Sequence, residues 1–509
     1  MATMAVTANK SRPRSPAFPA GAGFIFMAMA FAMPAHALDW RLERSVGASA
    51  SFTDNANQSA TDPENALILS VTPSFTLRSQ GSRRVQATMQ YGLTAVARSG
   101  EGDSADLYHN LNAMGKAELI DDFLFIDGSA RISQELISLL GSPADAEIND
   151  RNRATVGTYT ISPYIQQRIG TFANAQARYT HSGAIFENDV ASDAVSNAFS
   201  ALLNSGTRFT DLSWGLNYSI REANNRDENV GDSTFERVTA SAGYVLTRKF
   251  RVFGSVGQEW NDFLSTTETD GSSWSVGAGW APTRRTSLEA SVGERFFGNT
   301  YSATARHRTR ASNWNLSYVE DVSDISQFLG TTGTMYDYQC LVDGEIQIFE
   351  DWPFSFPPAP TNCVSFNAKP GLLFDLRNGV FVSKTLRAGV SWGKGKLNYS
   401  LSAFDTRRDY QLLDSEDRSR GVTGAVNYRY APKTNVIGSV GLTRNEVPAT
   451  LSGTSDREDD LLTLSLGINH QFATDLSGAL TFRHTRRDSN VADADYEENR
   501  LMASVNMRF

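Results

Sequence analysis

A strict alternation of apolar and polar side chains recurs in short segments along most of the sequence. In 499–509, NRLMASVNMRF, apolar residues take every second position from Leu501 to Phe509, with Arg500 and Arg508 among the residues between them. LLTLSLGINHQF and LSWGLNYSI follow the same pattern. Because successive side chains of a β-strand point to opposite faces, each segment is predicted to be a strand with one apolar face.

The pattern predicts an all-β chain, a transmembrane up-and-down antiparallel β-barrel of about 22 strands, within a range of 20–24. The least regular segments are 193–205 and 300–309. Short connections such as TRK and APKT alternate with longer acidic ones such as EANNRDENVGDS and SGTSDREDD. Short periplasmic turns and long extracellular loops are typical of outer-membrane barrels, whereas a soluble sandwich or propeller does not segregate loop length in this way. The segments are 40–53, 65–79, 84–98, 106–119, 123–137, 153–168, 172–185, 193–205, 211–223, 233–247, 250–262, 272–281, 286–298, 300–309, 312–322, 379–392, 396–408, 418–430, 435–446, 460–472, 476–488 and 498–509.

The average composition looks water-soluble, with 40% hydrophobic residues and a mean hydropathy of −0.32. A membrane-spanning strand needs only about 9–11 residues, half of which face the lumen, so this average does not exclude a membrane. In lipid every backbone N–H and C=O needs a partner inside the protein, so an open sheet edge is not tolerated. The last strand is therefore expected to pair with the first, 40–53, and to close the ring.

The N-terminal 37 residues have the organisation of a secretory signal peptide. A basic leader precedes a short apolar core, and Ala35 and Ala37 fit the small-x-small cleavage rule, so cleavage is expected before Leu38. The mature chain, 38–509, would then be exported to the bacterial outer membrane. Its acidic balance, with a net charge of −9 for the whole sequence, argues against a nucleic-acid partner.

One connection, 323–378, is far longer than the others and is rich in proline. It contains both cysteines, Cys340 and Cys363. In an exported protein a disulfide between them is the expected arrangement, and two free thiols are the alternative. Barrels of 22 strands usually carry a plug, and the sequence is expected to have no plug domain ahead of its first strand. The long connection is therefore the candidate to narrow the lumen; a stapled surface loop is the alternative.

The final segment also resembles the C-terminal signature of bacterial outer-membrane proteins, an alternating strand that ends in an aromatic residue. The resemblance implies that the barrel assembly machinery recognises this strand. The signature positions are Leu501, Ala503, Val505, Met507 and Phe509.

Several stretches, including SFTDNANQS, AELIDDFLFIDGSARISQELIS, TYTISPYIQQRIGTFANAQARYTH and SVGERFFGNTYSATARHRTRASNWNLSYVED, are similar to one family. It is that of the PEP-CTERM-system-associated outer-membrane proteins, and the similarity extends from about Trp40 to Phe509. The family accompanies exopolysaccharide and exosortase systems in Gram-negative bacteria. The resemblance implies an outer-membrane barrel in such a pathway and carries over no catalytic motif.

Strand parity predicts a set of arginines that face the lumen. Arginine on the lipid face at mid-depth costs about 2–4 kcal/mol, so a lumen position is expected on structural grounds alone. The functional alternative is an electropositive conduit for an anionic polymer, because charged rings lower the barrier for ions of opposite sign. Fewer inward acids are expected, with Glu135, Glu259 and Glu289 the clearest. The arginines are Arg78, Arg98, Arg131, Arg168, Arg178, Arg237, Arg295, Arg306, Arg308, Arg387, Arg429, Arg483, Arg500 and Arg508.

Catalysis is not expected, because the five histidines after the leader are isolated and no triad, nucleotide or metal-binding spacing accompanies them. No cofactor or metal is expected either. The leading functional hypothesis is a pore or conduit for exopolysaccharide export, and the alternatives are a general diffusion porin or a closed structural or adhesion barrel that acts through its extracellular loops. Expected partners are outer-membrane lipid, the assembly machinery, an anionic polysaccharide and periplasmic export components.

Overall fold

The computed structural model describes most of the chain after residue 38. The described residues are 39–80, 82–99, 104–137, 152–187, 193–226, 231–324, 327, 336–342, 345–352, 363–368, 379–413, 415–452 and 455–509. For the three short segments between 336 and 368 the backbone alone is described. The expected signal peptide, with Ala35 and Ala37, lies outside these residues.

The described chain forms one sheet of 22 antiparallel strands, together with a separate sheet of three strands. The strands of the large sheet are β1 (Asp39–Thr53), β2 (Ala66–Gln80), β3 (Val85–Arg98), β4 (Ser104–Ile120), β5 (Leu124–Leu136), β6 (Arg153–Ile169), β7 (Ala173–Phe186), β8 (Ala194–Ser205), β9 (Leu212–Asn225), β10 (Ser233–Thr247), β11 (Phe250–Asp262), β12 (Gly271–Thr283), β13 (Thr286–Arg295), β14 (Gly298–Arg308), β15 (Ser312–Asp324), β19 (Val380–Lys394), β20 (Leu397–Tyr410), β21 (Ser415–Ala431), β22 (Thr434–Val447), β23 (Arg457–Gln471), β24 (Leu476–Ser489) and β25 (Tyr496–Arg508). The small sheet contains β16 (Tyr336–Val342), β17 (Glu345–Trp352) and β18 (Cys363–Ala368), and one short helix, α1 (Ala449–Ser452), follows β22.

The large sheet closes on itself, because β1 pairs with β2 on one side and with β25 on the other. Along the β1–β25 seam, Ser49 faces Ser504 and Phe52 faces Leu501. The Thr53 hydroxyl donates to the Glu498 carboxylate at 2.8 Å, and both side chains are buried. Closure leaves neither terminal strand of the sheet with an unpaired edge, as a hydrocarbon environment requires.

The two faces of the barrel follow the alternation of the sequence. On β1 and β25 the apolar positions, such as Phe52 and Leu501, are exposed, whereas Ser51 and Thr53 between them are buried. Residues that pair across strands share a face, so the register carries this assignment around the ring. An apolar surface that is 63% exposed at Val256 and 58% exposed at Leu466 is the reverse of a soluble protein. It is the outward band of a membrane barrel.

Two prolines lie inside barrel strands, where a missing N–H interrupts a ladder. Pro73 in β2 remains opposite Val46 of β1, but the pairing of β2 with β3 skips from Val71 to Ser74. Pro163 in β6 likewise faces Ile126 of β5, and the pairing of β6 with β7 skips the same position. At each proline, therefore, the strand remains paired with one neighbour, and its pairing with the other neighbour is locally interrupted.

The connections differ at the two ends of the barrel. At the short-turn end, strands join through segments such as 170–172 and 395–396, and Gly170 and Gly395 have φ values of 55° and 64°, which glycine adopts without a Cβ clash. At the long-loop end the connections include 54–65, 263–270, 448–456 and the segment between β15 and β19. The β13–β14 connection is an exception, because only residues 296–297 separate these strands at the long-loop end.

The sequence prediction of a closed antiparallel barrel with about 22 strands is confirmed. The two least regular segments form β8 and β14. Several strands extend further at the long-loop end than predicted; β21, for example, begins at Ser415 rather than at 418. Polar residues predominate at these ends, as in the Ser-Glu-Asp start of β21, so the apolar alternation does not mark them.

Candidate functional site

The inner face of the barrel, defined as the face that carries Ser51 and Thr53, contains the most deeply buried ion pairs of the described chain. The strand register gives the same face to every arginine that the sequence predicts to face the lumen. Their function as a lining stays a prediction. The residues in register on this face are Arg78, Arg98, Arg131, Arg168, Arg178, Arg237, Arg295, Arg306, Arg308, Arg387, Arg429, Arg483, Arg500 and Arg508.

At the long-loop end a buried carboxylate joins arginines from different strands. Glu259 on β11 is only 1% exposed. Its Oε1 and Oε2 accept from Arg295 Nε and Nη2 at 2.8 and 3.0 Å, and Arg237 Nε lies 3.6 Å from Oε1. Arg295 Nη1 also donates to Asp321 Oδ1 at 2.9 Å. Four charged side chains from four strands therefore neutralise one another in a bidentate arrangement typical of strong arginine pairs.

Other ion pairs on the inner face also join an arginine to a carboxylate that has little solvent exposure. Arg408 and Asp417, on neighbouring strands, are each 2% exposed, and Arg408 Nε donates to Asp417 Oδ1 at 2.9 Å. Asp459 pairs with both Arg487 and Arg457. Arg98 pairs with Asp106, and Arg131 pairs with Glu135. The long-loop end of the inner face thus carries matched charges of both signs.

Aromatic side chains pack beside these charges at the long-loop end. Phe263, which follows β11, contacts Phe235 and Phe296 with ring centroids 5.4 and 6.1 Å apart. The Arg221 guanidinium lies 4.3 Å from the centroid of the Phe235 ring and pairs with Asp324 at the end of β15. Five barrel strands separate β9 from β15, so this pair joins parts of the ring that are not neighbours.

Loops from separate hairpins also meet at this end. Thr266, between β11 and β12, donates its backbone N–H to the carbonyl oxygen of Gln411, between β20 and β21, at 3.1 Å. Four barrel strands lie between the two hairpins. Two inner-face side chains of the same end, Ile68 and Phe381, are fully buried. The long-loop end is therefore partly covered.

The short-turn end of the inner face is different. Arg78, Arg168, Arg306 and Arg308 are all exposed there. Within the described ranges, no ion pair joins any of these four to a carboxylate. We call these four residues the short-turn arginine group. Arg251 is near the same end but pairs with Glu289.

Sequence reasoning missed several inner-face charges. Arg221, Arg251, Arg408 and Arg487 have the parity of the predicted set, so the alternation alone could have found them. The inner face also carries acids beyond Glu135, Glu259 and Glu289, which the sequence marks most clearly. Asp417 and Asp459 were missed because the predicted strands began after them, at 418 and 460. The inner face therefore carries acids as well as arginines, and the short-turn arginine group is an exposed part of it that makes no ion pair among the described residues.

The five histidines that the structure describes are spread over five strands, β4, β7, β14, β23 and β24. By register each shares the outer face, and each ring accepts or donates a hydrogen bond to a Tyr, Thr or Asn on an adjacent strand. His307 Nδ1, for example, lies 2.8 Å from the Thr286 hydroxyl oxygen. In the part of the chain that the structure describes, no group of three or more ligating side chains could hold a metal ion. No helix among the described residues is both long enough and apolar enough to cross a membrane.

The backbone of the small sheet brings the two cysteines together. Cys340 on β16 and Cys363 on β18 are direct partners in the antiparallel register. The predicted disulfide would need this kind of proximity and remains a prediction. The signature residues Leu501, Ala503, Val505, Met507 and Phe509 all have exposed side chains on the outer face. Their recognition by the assembly machinery also remains a prediction.

Comparison with known proteins shows the class of fold. No family model matches the sequence, and no curated protein does. The chain is similar to the ferric enterobactin receptor PfeA of Pseudomonas aeruginosa, both in a double mutant (TM-score 0.50, 10% identity, 92% of this chain and 80% of that one) and in a single mutant in complex with enterobactin (0.50, 10%, 92% and 81%). The FrpB iron transporter of Neisseria meningitidis matches with a TM-score of 0.49 at 10% identity over 92% and 82% of the two chains. The chain is thus a closed 22-strand barrel that resembles outer-membrane receptor barrels.

Proposed function

We propose that this protein is an outer-membrane conduit for an acidic polysaccharide, which approaches from the periplasm at the short-turn end. The observation that carries the proposal is the short-turn arginine group, Arg78, Arg168, Arg306 and Arg308, which is exposed and without carboxylate partners in the described chain. The choice of an exopolysaccharide as the polymer rests on the similarity of the sequence to PEP-CTERM-system-associated outer-membrane proteins.

The charge distribution supports a direction of transport. An exposed arginine fork binds carboxylates in pairs and keeps its charge at any physiological pH, so the group raises the local concentration of an anionic chain. Towards the long-loop end the inner arginines are already paired with acids, so they offer fewer binding sites. A polymer held weakly beyond its point of first contact can leave, as a conduit requires.

The test is planar-bilayer conductance of the purified barrel with and without an acidic oligosaccharide such as oligogalacturonate. Wild-type channels should be anion-selective and should show oligosaccharide-dependent current blocks. Changing Arg78, Arg168, Arg306 and Arg308 to Gln should abolish both properties. The matched control changes Arg208, Arg248, Arg284 and Arg310 to Gln, because these four lie in short turns at the same end and not on the inner face.

Cellular secretion provides the second readout. A deletion strain should lose surface polysaccharide, and the wild-type and control genes should restore it, while the inner-face quadruple variant should not. Normal secretion in the deletion strain would overturn the proposal. Small-ion conductance that the oligosaccharide leaves unchanged would favour a general diffusion porin, and absence of conductance would favour a closed barrel that acts through its loops.

A receptor for an anionic metal chelate is the second candidate. The observation in its favour is the covered long-loop end, where Arg221 pairs with Asp324 and the 263–270 loop contacts Gln411. The PfeA structure in complex with enterobactin makes ferric enterobactin a suitable probe. Saturable binding of this chelate, with no response of the conductance to oligogalacturonate, would favour the receptor hypothesis over the conduit hypothesis.

A further inference from the structure

A cluster of aromatic and charged side chains lies on the inner face of β4, β5, β6 and β7, close to the short-turn end. Lys116 faces Asp127 across the β4–β5 pair, and Phe125 faces Tyr164 across the β5–β6 pair. Arg178 on β7 in turn faces Tyr164. Arg178 is an inner-face residue, and the register gives the same face to the other four. We call these five residues the aromatic–basic cluster.

The two rings of the cluster form a stack that neighbouring side chains support. The ring planes of Phe125 and Tyr164 differ by 15°, and their centroids are 5.0 Å apart. The Arg178 guanidinium lies 3.9 Å from the Tyr164 centroid, and its Nη1 donates to Asp127 Oδ2 at 3.0 Å and to the Ser162 hydroxyl at 2.9 Å. Tyr164 is therefore buried, whereas Phe125 stays half-buried and keeps part of its ring in contact with the lumen.

Lys116 places a positive charge beside this stack. Its Nζ lies 5.2 Å from the centroid of Phe125 and 5.7 Å from that of Tyr164, close enough for a cation–π attraction to both rings. The lysine side chain is exposed. It therefore presents its ammonium group to the lumen next to the exposed part of an aromatic ring.

The charges of the cluster do not cancel. Asp127 is the residue opposite Lys116, but its Oδ2 accepts from Arg178. Glu118, the next inner-face residue of β4, accepts a backbone N–H of the turn that follows the strand. In the part of the chain that the structure describes, no ion pair joins Lys116 to a carboxylate. Two cations and one anion leave the cluster with one positive charge, and Lys116 carries it.

The cluster lies next to the point at which the polymer would first contact the barrel. Arg168, a member of the short-turn arginine group, follows Tyr164 by four residues on β6 and has the same face. This spacing corresponds to about 13 Å along the strand. A chain that moves inward past Arg168 therefore reaches the aromatic–basic cluster next.

We propose that the aromatic–basic cluster is a binding subsite for one uronic acid unit of the polymer; the inference rests on the proposed function for the choice of polymer. One face of a pyranose ring carries only C–H groups, which pack well against the negative face of an aromatic ring such as Phe125. The Lys116 ammonium pairs with the carboxylate of the same unit. An apolar wall with one placed charge is the usual composition of a small-molecule site, and it distinguishes an acidic sugar from a neutral sugar and from an acidic peptide.

The test is binding of oligogalacturonate to the folded, detergent-solubilised full-length barrel, measured by titration with saturation-transfer difference NMR. Two probes of equal length accompany it: a malto-oligosaccharide has the sugar ring without the charge, and oligoglutamate has the charge without the ring. The wild-type barrel should bind oligogalacturonate at least about fivefold more tightly than either probe. Equal affinity for either probe, or no binding of oligogalacturonate, would overturn the proposal.

Two variants divide the contributions of ring and charge. F125L removes the ring and keeps an apolar side chain, so it should weaken binding of oligogalacturonate about fivefold and leave oligoglutamate unaffected. K116Q should weaken binding of both charged probes about tenfold, and K116R should retain most of the affinity. If F125L fails to fold, K116Q and K116R decide the assignment.

The controls remove the same chemistry from other places. F404L changes a buried inner-face ring outside the cluster, and K249Q removes a lysine from a short turn at the same end. Both should bind oligogalacturonate as wild type does. Affinity that is unchanged in F125L and K116Q, or reduced as much in the controls, would mean that the cluster only packs the barrel wall.

Failure of the subsite and failure of the conduit give different results. If both cluster variants bind normally while oligogalacturonate still blocks the wild-type channel, the conduit stands and the subsite is rejected. If the cluster variants lose affinity while a deletion strain secretes polysaccharide normally, the subsite stands and the conduit is rejected. Where both hold, F125L should shorten each current block about fivefold, because weaker binding is expressed mainly in faster dissociation.

Discussion

At the scale of single residues, Glu259 is the clearest case of an inner-face charge with a structural task. It is almost completely buried and faces two arginines, Arg295 and Arg237, from different strands. A buried ion is stable only while its partners satisfy it, because the desolvation cost of each charge is several kcal/mol. The carboxylate is therefore expected to hold β10, β11 and β13 in register at the long-loop end.

We expect E259Q to lower the free energy of unfolding by about 3–5 kcal/mol, since it leaves Arg237 and Arg295 with Asp321 as the one remaining acid of the four-charge group. Reversible urea unfolding of the refolded barrel in lipid, followed by tryptophan fluorescence, measures this. E289Q is the matched control. It breaks the Arg251–Glu289 pair, whose side chains are 56% and 41% exposed, and should cost about 1 kcal/mol or less. Equal losses in the two variants would mean that burial does not decide the strength of these pairs.

At the scale of elements, the β1–β25 seam decides whether the sheet is a barrel. The N–H groups of Asp54 and Phe509 donate to the carbonyl oxygens of Asn499 and Arg44, so the ladder extends along the whole contact. Hydrogen-bonded and non-hydrogen-bonded pairs alternate along an antiparallel ladder. Ser49 and Ser504 form a non-hydrogen-bonded pair, the kind in which the two Cα atoms are closest.

The double variant S49C with S504C, in a C340S and C363S background, should form a disulfide efficiently under mild oxidation. The reason is that the two Cβ atoms of such a pair are within reach of a disulfide bond. Non-reducing electrophoresis of the folded barrel, before and after heating, detects the bond. S49C with M502C provides the control, because Met502 faces Ser51 and lies one pair away. Equal cross-linking in both variants, or in neither, would contradict the register of the seam.

The small sheet leads to a second expectation at this scale. Because Cys340 and Cys363 face each other on antiparallel strands, oxidised protein should contain one disulfide. Alkylation of the denatured, unreduced protein should then label neither cysteine, and mass spectrometry should find both labelled after reduction. C340S should destabilise the insertion by about 3 kcal/mol, the value for a loop of this order of length. Two reactive thiols in protein purified from a strain with an oxidising periplasm would rule the disulfide out.

At the scale of the whole molecule, much of the fold is predictable from the sequence, because successive side chains of a membrane barrel alternate between lipid and the barrel interior. Val422 and Leu442 must meet lipid and Ser51 and Thr53 must not, so parity identifies both the strands and their faces. The alternation of apolar and polar residues stops where the strands extend beyond the hydrocarbon layer. Asp417 and Asp459 lie beyond the apolar band, in strand extensions that no alternation marks, and partners such as Arg221 and Asp324 meet only through the closed ring. Pairing across the barrel is therefore the part of the site that a sequence pattern could not supply.

If the barrel is the conduit proposed above, the contact between Thr266 and Gln411 should control passage through the long-loop end, because it joins hairpins on separate parts of the ring. A polymer needs these loops to separate, whereas small ions need only gaps between side chains. In the C340S and C363S background, T266C with Q411C should therefore cross-link and block polysaccharide secretion while small-ion conductance in planar bilayers persists. A membrane-impermeant reductant should restore secretion, and T266C alone should behave as wild type. Unimpeded secretion by the cross-linked barrel would mean that the polymer leaves by a path that does not require these loops to part.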